Sequence, residues 1–155
     1  MPKRIHKIEG ISFGTASSNT RYGKKEDSLI VTLPQESILS GKFTSNKLKA
    51  APVILAIENL LNPKKTEKIL LINAGNANAA TGPNGLKDVR KYCKEIALDF
   101  KTSQENGIPF STGVIGEPLA VENYLSAFRE ASKSLSEKKW KKAAEAILTT
   151  DTKPK

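Results

Sequence analysis

Apolar residues recur at intervals of three and four from about Asn84 to Phe100: Leu86, Val89, Tyr92, Cys93, Ile96, Ala97 and Phe100. That spacing lines one face of an α-helix, because 3.6 residues complete a turn. The same period predicts a second helix over Val121–Leu135, with Tyr124, Leu125, Phe128, Ala131 and Leu135 inward. A third runs from about Ser136 to Leu148, with Trp140, Ala143, Ala144, Ile147 and Leu148 inward. Shorter β-prone runs read as strands: Lys7–Phe13, Ser28–Leu33 after the charged turn Lys24–Asp27, and the aliphatic Lys68–Asn73, which suits a central buried strand. Ala50–Leu61 can begin as a strand and end as a helical turn, since a short apolar run does not settle its period. Strands interleaved with helices predict an α/β (α+β) fold.

A chain of 155 residues, 38% of them hydrophobic, can bury one modest core. No repeat, low-complexity stretch or long Pro/Gly/Ser linker parts it, so residues 1–155 read as a single domain. The formal net charge of +9 favours anions. The lysines nevertheless fall in short groups, Lys24-Lys25, Lys64-Lys65 and Lys138-Lys139, interleaved with acids, which is the pattern of a solvated surface. Cys93 is the single cysteine and sits among Val89, Tyr92 and Ile96, so it reads as a core residue; with His6 the single histidine, no metal and no cofactor are expected. No apolar run approaches the roughly 20 residues that cross a bilayer, and no apolar stretch follows the N-terminal Met-Pro-Lys-Arg. A cytoplasmic protein without membrane contact is expected.

Three segments carry candidate chemistry. Asn73–Gly82 follows a buried strand and precedes a helix, the place where α/β proteins put binding sites. Its small residues let backbone amides approach a ligand, and Asn73, Asn76 and Asn78 can donate and accept hydrogen bonds. It matches neither GxGxxG nor a P-loop, and reads equally as a ligand-facing loop or as a densely hydrogen-bonded turn. Ser111–Gly116 sets the Thr112 hydroxyl beside the Gly113 amide, a pair suited to a negatively charged oxygen if the two converge. Thr149–Thr152 closes the third helix with polar residues that can satisfy local backbone groups.

Four segments in order, Gly41–Val53, Ile72–Ala79, Ser111–Leu119 and Ala143–Thr152, make essentially the whole chain resemble the N-terminal part of the ornithine acetyltransferase (glutamate N-acetyltransferase) family. Ala74 stands where the family usually has serine and Ala80 where cysteine is common. The resemblance implies the ornithine acetyltransferase/DmpA-like layered sheet-and-helix fold and a precursor that cleaves itself into two chains that stay together. It further implies acetyl transfer from N-acetylornithine to glutamate, with Thr112 and Gly113 as the oxyanion hole and Thr150, with Thr152, at the substrate. The nucleophilic threonine would lie beyond Lys155 on a second (beta) chain, in an assembly of two alpha and two beta chains. A related aminopeptidase-like hydrolase and a basic nucleic-acid-binding domain are the other readings; the latter lacks the signatures of the common modules, and no nucleic acid is expected.

Overall fold

The structure, a computed structural model, describes residue 6, residues 8–151 and residue 153. Lys7 and Thr152 therefore lie outside the described residues. Strands β1 (Ser12–Ala16), β2 (Ser28–Leu33), β3 (Lys68–Asn76) and β4 (Gly107–Val114) form one sheet in the order β1-β2-β3-β4. The pairs β1/β2 and β2/β3 are antiparallel, whereas β3 and β4 are parallel and joined by the crossover helix α2 (Gly82–Asp99). Helices α1 (Ala51–Leu61), α2 and α3 (Val121–Ser132) share a core with one sheet face, built around Ile30, Ile69, Leu71, Leu55, Tyr92 and Phe128. The short α4 (Trp140–Ala146) covers the other face over β1 and β2, where Ala143 and Ala146 meet Phe13, Leu29 and Val31. The predicted mixed α/β fold is observed, with β3 inside the sheet.

Local chemistry explains where the elements depart from expectation. The first strand starts at Ser12 rather than at Lys7, because Glu9 and Gly10 form a turn and the Gly10 amide donates to Glu137 Oε1 at 2.9 Å. Ala50–Leu61 contains no strand. Its Pro52 lies in the first helical turn, where the missing N–H is not needed, and Ala51, Pro52, Leu55, Ala56 and Asn59 form the buried stripe. Asn59 then donates to Gly107 O at 2.7 Å, tying α1 to the start of β4. The third predicted helix shrinks to Trp140–Ala146 because Ser136 exchanges two backbone hydrogen bonds with Phe13, at 3.1 and 3.0 Å. Ala146 is buried in its place, and Ile147, expected inward, is exposed. In α2, Val89, Tyr92, Cys93, Ile96 and Ala97 are buried as the spacing predicts. Burial pushes the Cys93 thiol far above its ordinary value, so it is an inert core group.

Candidate functional site

The segment expected to leave the sheet at Asn73 instead stays in it as far as Asn76, paired with β4: Asn73 with Ser111, Ala74 with Thr112, Gly75 with Gly113 and Asn76 with Val114. Both middle glycines have positive φ, +105° at Gly75 and +136° at Gly113. A Cβ on Gly113 would stand 2.3 Å from the Gly75 carbonyl carbon and 2.6 Å from the Asn76 nitrogen. Only glycine takes that conformation at that separation. A Cβ on Gly75 would meet the Tyr22 ring at 3.2 Å and the Tyr124 hydroxyl at 3.5 Å, a tight but softer fit.

The asparagines serve the backbone. Asn73, fully buried, donates to Asn76 O at 2.7 Å and accepts from Ser111 Oγ at 2.6 Å. Asn76 donates to the Glu117 and Pro118 carbonyls, both at 3.2 Å, and accepts from the Asn78 amide at 2.7 Å. Asn78, also fully buried, donates to Gly85 O at 3.0 Å and accepts from Thr81 Oγ1 at 2.7 Å, which holds the start of α2. Of the two readings of this segment, the hydrogen-bonded turn is the one observed. It braces the strand ends on which Thr112 and Gly113 sit.

Ser111 and Asn73 face the α1–α3 layer, so the pleat turns Thr112 to the opposite face, the one shared with Ile72 and Phe110. Helix α4 packs on β1 and β2; on the β3–β4 half of that face Ile108 is buried while Phe110 is 46% exposed. Thr112 is half-buried, and among the described residues its hydroxyl makes no hydrogen bond. Beyond α4, Lys25 Nζ donates to Leu148 O at 2.7 Å and draws the chain end toward the same end of the sheet. Thr150 follows there and is exposed. Thr112 and Gly113 are thus adjacent on β4, and the chain leading to Thr150 is tied to the same end of the sheet through Lys25.

Two residues that sequence reasoning overlooked support this corner. Tyr124, read only as an inward helix residue, donates its hydroxyl to Ala74 O at 3.0 Å and accepts from Thr20 Oγ1 at 3.3 Å. Burial raises its ionisation above the ordinary phenol value, and the Thr20 hydrogen bond pulls the other way. Asp27, buried, accepts from the Ser18 amide at 2.7 Å and from Ser18 Oγ at 2.6 Å, while its own carbonyl accepts from the Ala74 amide at 2.8 Å. A lone aspartate in a charged turn gave no such signal. On the far side of Gly75, a cleft of about 370 Å³ is lined by Thr20, Arg21, Asn76, Glu117 and Tyr124, with Arg21 and Glu117 paired at 2.7 Å. The Tyr92 hydroxyl is buried with no hydrogen-bond partner among the described residues. Burial, ahead of the Cys93 thiol beside it, raises its ionisation well above the ordinary value; Ser111, committed to Asn73, offsets only part of that rise.

Residues 12–155 match the ArgJ family. The chain is 41% identical over 152 residues to the arginine biosynthesis bifunctional protein ArgJ of Methylococcus capsulatus, covering 98% of this chain and 36% of that protein. It is 39% identical to the protein of the same name from Pseudomonas syringae pv. tomato, over 97% of this chain and 36% of the relative. The chain thus spans about a third of the length of these relatives. Among solved structures, it resembles ornithine acetyltransferase from Mycobacterium tuberculosis, crystallised with ornithine, with a TM-score of 0.85 and 25% identity over 93% of this chain and 78% of that one. ArgJ of Bacillus halodurans gives a TM-score of 0.81 and 28% identity over 93% and 74%.

Proposed function

The chain belongs to the ArgJ family, and from that premise we propose that it is the N-terminal (alpha) portion, one domain over residues 1–155, of a cytoplasmic glutamate N-acetyltransferase of arginine biosynthesis. The reaction moves an acetyl group from N-acetylornithine to glutamate, releasing ornithine and forming N-acetylglutamate. A threonine at the amino terminus of a second, beta chain attacks the acetyl carbonyl, with its own α-amino group as base. Ornithine leaves with the proton, and the amine of glutamate then takes the acetyl group from the threonine oxygen.

Each half-reaction passes through a tetrahedral oxyanion. Thr112 holds it through its hydroxyl and Gly113 through its backbone N–H, while Thr150, with Thr152, contacts the substrate. The observation that carries this reading is the β3–β4 corner: a threonine hydroxyl with no hydrogen-bond partner among the described residues, beside a residue confined to a glycine-only conformation. Donors fixed before the charge develops do not have to reorganise when it appears, which is why such a corner accelerates acyl transfer. The exposed Phe110, Ile115 and Leu48 support an apolar packing partner, the beta chain. Two alpha and two beta chains complete the assembly. No helix among the described residues is long and apolar enough to cross a membrane.

The test is an assay with N-acetylornithine, with and without glutamate, on the protein with its second chain present. Acetyl transfer to glutamate supports the proposal. Hydrolysis of the acyl-enzyme alone turns it toward the aminopeptidase-like reading. Inertness, with salt-sensitive DNA or RNA binding, turns it toward the nucleic-acid reading.

A further inference from the structure

At the opposite end of β3 from Ala74 lies a lysine whose burial the acetyl-transfer reading does not use. Lys68 is 5% exposed, and its ammonium donates to Gln35 O at 2.6 Å and Thr66 O at 3.3 Å. Three N–H groups are available on an ammonium and two are used. No carboxylate pairs with it among the described residues, so its charge is solvated by carbonyl dipoles alone. A buried charge without a counter-charge is costly, and an arriving anion recovers much of that cost.

Lys68 lines a cleft of about 460 Å³ together with Lys64, Lys65, Ser37 and Glu36. Lys64 and Lys65 are exposed, and among the described residues they form no ion pair and the Ser37 hydroxyl makes no hydrogen bond. Glu36 is the one carboxylate in the lining, against three ammonium groups. The wall is rigid. Asn106, 1% exposed, accepts from the Lys64 amide at 2.9 Å and donates to Lys64 O at 3.1 Å, Thr66 O at 3.2 Å and Glu67 O at 3.3 Å. These bonds fix the course of residues 64–67 along one wall of the cleft.

We propose that this cleft binds a small, multiply charged oxyanion of the phosphate or dicarboxylate class, held by Lys68 from the base and by Lys64, Lys65 and Ser37 from the rim. Lysine ammonium groups are point charges that do not impose the planar fork of arginine, so both anion shapes are admitted. Lys68 opens β3 and Ala74 stands six residues on, so the cleft lies on the order of 20 Å from the Thr112 corner, at about 3.3 Å per strand residue. It is separate from the proposed acetyl-transfer site and independent of it.

The test titrates the purified protein with inorganic phosphate in one arm and succinate in the other, by calorimetry, with ionic strength held constant by chloride. A saturable isotherm with a Kd on the order of a millimolar or tighter is expected in at least one arm, weakened about tenfold by Lys68→Met. Lys64→Ala with Lys65→Ala weakens it while leaving the melting temperature in place, and keeps the test open if Lys68→Met does not fold. Lys138→Ala with Lys139→Ala leaves it unchanged. No saturable binding in either arm, binding indifferent to the Lys64, Lys65 and Lys68 variants, or equal weakening by the Lys138/Lys139 control overturns the proposal; the last outcome means diffuse attraction to a basic surface.

Discussion

Gly113 lies so close to Gly75 on the neighbouring strand that a methyl group on it would stand 2.3 Å from the Gly75 carbonyl carbon. Gly113→Ala must therefore both adopt a φ of +136° and push β3 away. The expected cost is about 3 kcal/mol or more, summing backbone strain and overpacking. Gly75→Ala, whose nearest neighbour is a Tyr22 ring carbon at 3.2 Å, should cost less, about 1–2 kcal/mol. Urea denaturation of the two variants checks the order.

Thr112→Ala separates chemistry from structure. The hydroxyl has no hydrogen-bond partner among the described residues, so stability should change by no more than about 0.5 kcal/mol. If the hydroxyl serves a transition-state oxyanion, kcat should fall roughly a hundredfold to a thousandfold with KM changed only a few-fold. Thr112→Ser keeps the hydroxyl and should retain much of the activity. Precursor and processed forms must be separated first, because self-cleavage also passes through a tetrahedral intermediate. Near-normal kcat in processed Thr112→Ala refutes the oxyanion assignment.

Two buried tyrosines should respond oppositely to loss of their hydroxyls. Tyr124→Phe strands the buried Ala74 carbonyl and should cost about 1–3 kcal/mol. Tyr92→Phe removes a buried hydroxyl that has no partner, and should be neutral or stabilising by up to about 1 kcal/mol. Melting of the two variants side by side reads the difference.

Alkaline pH should unfold the protein by a route that begins at Cys93. Its thiol ionises far above the ordinary 9.0 in the fold, while the unfolded chain releases that proton near 9.0. Above that pH the folded chain holds one more proton than the unfolded chain, so stability is intact below 9 and falls as pH rises, by at most about 1.4 kcal/mol per pH unit. Tyr92 and Tyr124 add the same sign of effect above their ordinary 10.0. Urea midpoints measured across this range should decline from pH 9 in the native chain and only from pH 10 in Cys93→Ala.

Periodicity made α2 and α3 readable because both bury a regular stripe, and Ser28–Leu33 was readable end to end as β2. Ser136 was not, since its bond to Phe13 is a long-range event that no local pattern encodes. The same holds at the site. Thr112-Gly113 could be picked out by residue type, and the family resemblance proved right, but the strain at Gly113 comes from Gly75 nearly forty positions away. Asn73, Asn76 and Asn78 have the composition of a ligand loop, but their side chains bond backbone groups of β3, of the loop before α3 and of the first turn of α2, which residue type alone does not reveal.

The order β1-β2-β3-β4 is also the order in which the strands leave the ribosome. Each strand after the first emerges beside a neighbour that has already been synthesised, and the first two pairings need no crossover. The fourth closes only after α2 has been made, because parallel pairing requires the chain to travel back along the sheet. The Thr112–Gly113 corner is thus completed by the last strand of the sheet to join. Until then Gly75 has no β4 strand against it. Substitutions in the β3–α2 connection should therefore register in the yield of folded protein from synthesis before they register in the stability of what has folded.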